Sequence, residues 1–392
     1  MMFLENKKVA IVGGGPGGVT LARLLQLKGV DVKVYERDND ASVRQQGATL
    51  DLHYESGLKA LREGGLIAEF EKNYRPGADR LTITDQYAIV HLSESEEEGI
   101  MDLNSEYARP EIDRGPLRDL LIASLQGGTI VWNAKFSELK KDGNSWSLLF
   151  ENGTTASADL VIAADGANSK IRKYLTDIKP VYSGITIVEG NIYNAAVNAP
   201  HLWKLTNGGK VFALGSYKTI VLSAKGEGSL SFYTGTKETE DWVETSGIDF
   251  ENKEEVFSWF KHRFSDWSAD WNEIFLTDES YFVARPQYHF PLNQSWQTLP
   301  DLTMIGDAAH RMPPFAGEGV NQAMQDALEL YEALCLDNFN TIQEAVASFE
   351  KKMCSRNAGV TEDTLMQTEA LHAENSLQYL LDMFNQLPDE LT

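Results

Sequence analysis

Residues 8–25, KVAIVGGGPGGVTLARLL, hold an apolar run, then five glycines around one proline, then an apolar stretch of helical period. Lys8–Val12 reads as a buried strand. Val19, Leu21, Ala22, Leu24 and Leu25 supply one face of a following helix, and Val32–Tyr35 is the next strand. The loop between strand and helix carries Gly13-x-Gly15-x-x-Gly18 with Pro16 and Gly17 inside it. Such a turn lets backbone amides approach a pyrophosphate at a helix N-terminus, and Glu36, 18 residues beyond Gly18, stands where a carboxylate accepts ribose hydroxyls. Strand, turn, helix and acid in that order specify a Rossmann-like dinucleotide site, without separating FAD from NAD. Arg37 is open to two readings, a nucleotide phosphate contact or a surface charge.

Two later stretches repeat the pattern of a buried strand opening into a loop. Leu160–Ala164 runs into Asp165-Gly166, which delivers an acid and a flexible turn to the end of a parallel sheet, where ligands of doubly wound folds gather. Leu302–Ile305 runs into Gly306-Asp307, then through Pro313, Pro314 and Gly317 to Gly319-Val320-Asn321. A proline-braced loop that ends at a helix N-terminus can stabilise negative charge on a ring such as the pyrimidine end of a reduced flavin.

Around these stretches the texture changes twice. Short strand-like runs such as Lys210–Leu214, Thr219–Ala224 and Ser229–Tyr233 fill about Val181–Tyr281, and helical periodicity resumes at Val320. We therefore expect an α/β fold: a Rossmann-like dinucleotide-binding domain, an FAD-binding domain on the resemblance given below, over 1–77, 104–180 and 282–334, and an inserted, mostly antiparallel β-sheet domain, the substrate domain on the same resemblance, over 78–103 and 181–281. A C-terminal helical segment, 335–392, bridges the two, with Met366, Leu371, Leu377, Tyr379 and Leu380 as core or bridging residues.

The chain has 392 residues and a formal charge of −23, which repels nucleic acid and anionic membrane surfaces. No apolar run is long enough for a membrane span. The two cysteines, Cys335 and Cys354, form no metal or redox motif, and the seven histidines form no metal-binding pattern. A cytoplasmic monomer acting on a small molecule, with no metal, is the expectation.

Taken in order, Gly13–Gly18, Asp165-Gly166 and Gly306-Asp307 resemble the three signatures of the group A, single-component FAD-dependent aromatic monooxygenases. Val34–Asp40, Gly47–His53 and Met312–Gly317 are similar to the tetracycline-inactivating members. The resemblance implies FAD contacts from Glu36, Gly47, Asp51, Arg114 and Asp307, and a role for Arg44 in receiving NADPH or NADH. It implies hydroxylation of an aromatic or polycyclic molecule with O2 through a flavin C4a-hydroperoxide, with Pro314, Phe315 and Gly317 walling the oxygen pocket. The single Gly-x-Gly-x-x-Gly implies a donor that binds transiently against the flavin. Glu189, Lys210 and Ser231 occupy the positions of substrate-binding glutamine, arginine and histidine residues in those relatives, and all three departures bear on whether tetracycline is accepted. A flavin-dependent reductase or dehydrogenase without oxygen insertion, or a non-catalytic FAD-binding regulator, is the alternative.

Overall fold

The computed structural model describes residues 3–43, 49–94, 102–276, 281–336 and 338–385. Lys8–Val12 lies between Asp31–Tyr35 and Leu160–Ala163, with Leu302–Met304 and Ile130–Val131 at the flanks, and all five strands are parallel. Leu160–Ala163 is buried along its whole length, as a strand covered on both faces must be. The helices Pro16–Leu27, Arg114–Ala123 and Gly319–Cys335 share one core with this sheet and with the antiparallel strands Phe136–Asp142, Ser145–Phe150 and Thr155–Ala158. Pro16 suits the first helical turn because its fixed φ is helical and its missing N–H would have no partner there. The Asn152-Gly153 turn closes the hairpin to Thr155–Ala158, with Gly153 at φ +82°.

The second sheet has seven strands in the order Tyr281–His289, Val181–Ile192, Leu230–Lys237, Lys218–Ala224, Lys210–Gly215, Leu81–Asp85, Val90–Ser93. Every neighbouring pair is antiparallel except Lys210–Gly215 with Leu81–Asp85. Alternation along the strands splits the side chains between two environments. Val188, Ile220, Leu222 and Phe232 pack on Val256, Phe260, Trp271 and Phe275 from the helix Lys253–Arg263 and the 3-10 turn Ala269–Phe275. Ile185, Ile187, Leu214 and Tyr233 point the other way, toward Phe315, Leu371 and Leu380.

Two expectations change. Residues 282–289 belong to the large sheet, since Tyr281–His289 pairs along Val181–Ile192, whereas the sequence boundary put them with the nucleotide unit. The strand sits at the sheet edge, where Pro286 is tolerated, and its mixed burial hides the strand period. The C-terminal helices do bridge: Phe349 and Met353 join the first core, Leu371 and Leu380 the second sheet. Met366, however, is 58% exposed and does neither. No helix among the described residues is long and apolar enough to cross a membrane.

Candidate active site

The first loop is held by backbone packing. Gly13 has φ +113°, and a Cβ there would fall 2.1 Å from the Ala164 carbonyl oxygen and 2.9 Å from the Asp165 nitrogen. A Cβ on Gly18 would meet the Gly13 oxygen at 2.2 Å, and one on Gly17 the Ala323 oxygen at 2.8 Å. The first glycine motif therefore touches both the Asp165 loop and the helix that follows the Gly306 loop. Glu36, 2% exposed, accepts from the Gly14 N–H at 2.6 Å and the Asp38 N–H at 3.1 Å, so its carboxylate also shapes the loop. Arg37 beside it is exposed.

Asp165 Oδ2 accepts from the Lys170 N–H at 2.9 Å, while its other oxygen is buried without a partner among the described residues. Burial pushes this carboxyl pKa up, against the Ser169 and Lys170 hydrogen bonds that lower it. Gly166 follows at φ +80°.

The third loop is fixed from behind. Gly306, at φ +60° and ψ −146°, donates its N–H to Asp326 Oδ2 at 2.7 Å. His310 Nε2 bonds the same oxygen at 2.5 Å, and Arg356 from the helix Ile342–Leu371 reaches Asp326 Oδ1 at 2.7 Å. Asp307 is exposed, and Arg114 lies within its electrostatic reach. The Arg114 side chain keeps accessible surface, yet crowding by protein lowers its pKa, with Asp307 and Glu189 acting to raise it. Gly319 and Val320 open the helix Gly319–Cys335, which no side chain caps.

Asn321 departs from its expected role. Its side chain is fully buried, accepts from the His53 N–H at 2.9 Å and the Ser56 hydroxyl at 3.1 Å, and donates to the Asp51 carbonyl at 2.8 Å. It ties the Asp51 segment to the third loop, which leaves only its backbone amide for a cofactor. Asp51 approaches the same loop, with its Oδ1 at 3.1 Å from where a Gly317 Cβ would be. Burial would raise the Asp51 pKa, but the His53 hydrogen bond, Lys210 and Arg109 hold it at about 2. Phe315, expected as a pocket wall, is fixed by packing. It is 6% exposed and packs edge-on against Tyr233 and His372, with ring centroids 6.0 and 4.9 Å apart, so it anchors the loop while Pro314 and Gly317 stay exposed. Arg44 and Gly47 lie outside the described residues.

Glu189, Lys210 and Ser231 share one face of the seven-stranded sheet, the face that carries Tyr233 and contacts Phe315. Each is placed differently. Glu189 accepts from Arg285 Nε at 2.5 Å. Lys210 pairs with buried Glu111; burial lowers its pKa, but Glu111 and Asp51 outweigh that and hold it protonated. Ser231 is 5% exposed, and its hydroxyl has no partner among the described residues.

The FAD binding domain family matches residues 6–337. The chain belongs to this family of FAD-dependent monooxygenases. It is 28% identical over 385 residues to the monooxygenase asqM of Emericella nidulans, covering 85% of each. Among solved structures, Klebsiella pneumoniae HpxO complexed with FAD and uric acid superposes with a TM-score of 0.73 at 18% identity, covering 100% of this chain and 94% of that one. The tetracycline destructase Tet(51) gives 0.74 at 18%, covering 98% and 96%. Similarity to the tetracycline-inactivating members is thus one likeness among several.

The residues of this monooxygenase fit FAD on their own evidence. Asp165 Oδ1 is orphaned, the helix at Pro16 and the helix at Gly319 are uncapped, and nothing lies within 4 Å of where a Cβ on Gly15 would be. FAD would lie against Gly15, Glu36, Asp165, Arg114 and the Gly306–Gly319 loop. Among the described residues, no group of three His, Cys, Asp or Glu side chains is placed to hold a metal ion. Sequence reading missed Glu111, Arg285, Asp326 and Arg356. Of these only Asp326 left a trace, as an acid beside Met324, Ala327 and Leu328 in the helical stretch Gly319–Cys335.

Proposed function

We propose that this monooxygenase uses NADPH or NADH and O2 to hydroxylate an aromatic or polycyclic small molecule held between the FAD loops and the seven-stranded sheet. The observation that supports the reading is convergence: Gly13 abuts Asp165, Gly17 abuts Ala323, and Gly317 abuts Asp51, so segments far apart in sequence meet. Bound FAD supplies the hydride acceptance and dioxygen activation that no side chain provides. The chain's contribution is binding and exclusion of water. Gly15 and the first turn from Pro16 take the diphosphate, Glu36 the ribose end, and Asp165 a ribityl hydroxyl. Gly319 and Val320 would offer helix amides to a bound flavin, and Pro314 and Gly317 would border it. Glu189, Lys210 and Ser231 face the substrate. Tetracycline-class compounds are candidates, on the likeness of Val34–Asp40 and Met312–Gly317 and the fold shared with Tet(51).

The test is incubation of the FAD-loaded protein with NADPH and oxygen, first with tetracycline and then with a panel of phenols, followed by mass spectrometry. A product heavier by one oxygen atom is expected. NADPH oxidation with no oxygenated product across the panel would turn the reading into a reductase. Absence of NADPH oxidation would favour a regulatory flavoprotein.

A further inference from the structure

The register of the seven-stranded sheet sets Tyr281, Asn191, Ser231, Ser223 and Lys210 in one row, on the face that carries Glu189 and Tyr233. Two cations of this face, Lys210 and Arg285, flank the Asn191 and Ser231 positions, and each is matched; Lys237 lies farther along the face, beside His372. Lys210 bonds Glu111 and lies in the field of Asp51, and Arg285 bonds Glu189 at 2.5 Å. At those two pairs an incoming carboxylate would meet two cations and three acids, and Arg114, which lies in the field of Glu189 and Asp307, would be taken up by FAD. Between those ion pairs sit two neutral groups whose hydrogen bonds are unmade. Asn191 is 3% exposed and its Oδ1 has no partner among the described residues; neither has the hydroxyl of Ser231, directly opposite it on the next strand. Unmade bonds on buried polar atoms are costly, so an adjacent pair of them calls for a ligand group able to donate and accept. A neutral hydroxyl does both: it can donate to Asn191 Oδ1 and accept from Ser231 Oγ.

We propose that the site takes a neutral, hydroxyl-bearing ring compound, read by Asn191 and Ser231, and discriminates against aromatic carboxylates because Glu189 and Glu111 occupy the cations that would bind them. This rests on the reading that the sheet face with Tyr233 is the substrate face.

A matched pair of probes tests it: 2-naphthol and 3-hydroxy-2-naphthoate, titrated into the FAD-loaded full-length protein and followed by perturbation of the flavin absorption spectrum. 2-Naphthol is expected to bind about tenfold or more tightly than the naphthoate. Glu189→Gln frees Arg285 and should shrink that ratio about fivefold or more; Glu111→Gln frees Lys210 and should act the same way. Ser231→Ala should weaken 2-naphthol about fivefold and change the naphthoate little. Flavin content and melting temperature identify any variant that fails to fold, and Glu189, on an exposed ion pair, is the safer of the two acids. Equal or tighter binding of the naphthoate overturns the proposal, as does no binding of either probe, or a ratio that moves in neither acid variant. The preference without any oxygenated product would leave this inference standing and remove the monooxygenase reading of the cleft. An oxygenated naphthoate with untouched 2-naphthol would do the reverse.

Discussion

Arg356→Met removes the guanidinium that reaches from the helix Ile342–Leu371 to Gln322, to Asp326 at 2.7 Å and to Glu329 at 2.9 Å. Methionine keeps the apolar stem and loses the charge. Asp326 is fully buried, and it is the residue that holds Gly306 and His310. Burial would raise its carboxyl pKa, but His310, Arg356 and the Gly306 N–H keep it below the ordinary value, so it stays ionised with one partner fewer. Breaking a buried pair from one side costs about 3–5 kcal/mol. A chain of 392 residues has an unfolding entropy of about 0.8 kcal/mol/K at roughly 2.1 cal/mol/K per residue. The melting temperature should therefore fall by about 4–6 °C. Because Asp326 sets the Gly306 backbone, apparent FAD affinity should fall with it, about tenfold for each 1.4 kcal/mol spent re-ordering the loop. Arg356→Lys keeps a charge without the fork and should recover part of both losses. A depressed carboxyl contributes stability above the unfolded pKa of about 3.9 and loses it as pH falls through the lower folded value, so the effect should persist at neutral pH and fade only in acid. Thermal denaturation with and without FAD is the assay. A melting temperature for Arg356→Met within about 1 °C of wild type would refute the assignment of this network to the loop.

Gly13→Ala should yield protein that neither folds normally nor retains FAD, because the new Cβ would sit 2.1 Å from the Ala164 oxygen at φ +113°; Gly15→Ala, with nothing within 4 Å, should fold and show only weakened FAD binding in a fluorescence titration. His372 is buried, with its Nε2 3.3 Å from the Thr219 hydroxyl and its Nδ1 2.7 Å from the Thr368 carbonyl, and burial, aided by Lys237, brings its pKa down to about 4 against the Thr368 bond. The unfolded chain then takes up a proton near pH 6.5 that the folded chain refuses until about 4, so stability falls as pH drops through that window, by up to about 3 kcal/mol. Melting curves between those pH values should show a slope that His372→Gln flattens; identical slopes would sink the assignment.

The nucleotide-binding sheet was legible because its signals are local. An apolar run, a glycine turn and a periodic helix between residues 8 and 25 each follow from neighbours a few positions away. The short apolar, β-branched run Thr219–Ala224 likewise announces a strand without reference to its partners. Ion pairing is different. Lys210 meets Glu111 across 99 residues, Arg285 meets Glu189 across 96, and Arg356 meets Asp326 across 30. No periodicity ties such pairs, since their meeting depends on which strands become neighbours. The same cause reverses Phe315: within its loop it reads as a pocket residue, and only the packing of Tyr233 and His372 around it shows an anchor. Asn321 is spent on the Asp51 segment for a like reason, 270 residues away from the carbonyl it serves.

Within the first loop, the glycines divide by what their missing side chains make room for. Gly13, Gly17 and Gly18 are explained by protein alone, since a Cβ at each would strike a backbone oxygen of Ala164, Ala323 or Gly13. Those three would be required in a fold that bound nothing. Gly15 is not, because its Cβ position is open to 4 Å and its φ of −76° suits any residue. The chain gains no packing from a glycine there and loses backbone entropy on folding. What remains is close approach by something outside the chain, at an uncapped helix N-terminus where amides favour a negative group. Asp165 bears on the same point from the neighbouring strand, with one carboxylate oxygen satisfied by Lys170 and the other buried and idle. An open approach and an unmade hydrogen bond on adjacent loops have a common explanation in one ligand that carries both a diphosphate and a polyol, which is what FAD presents.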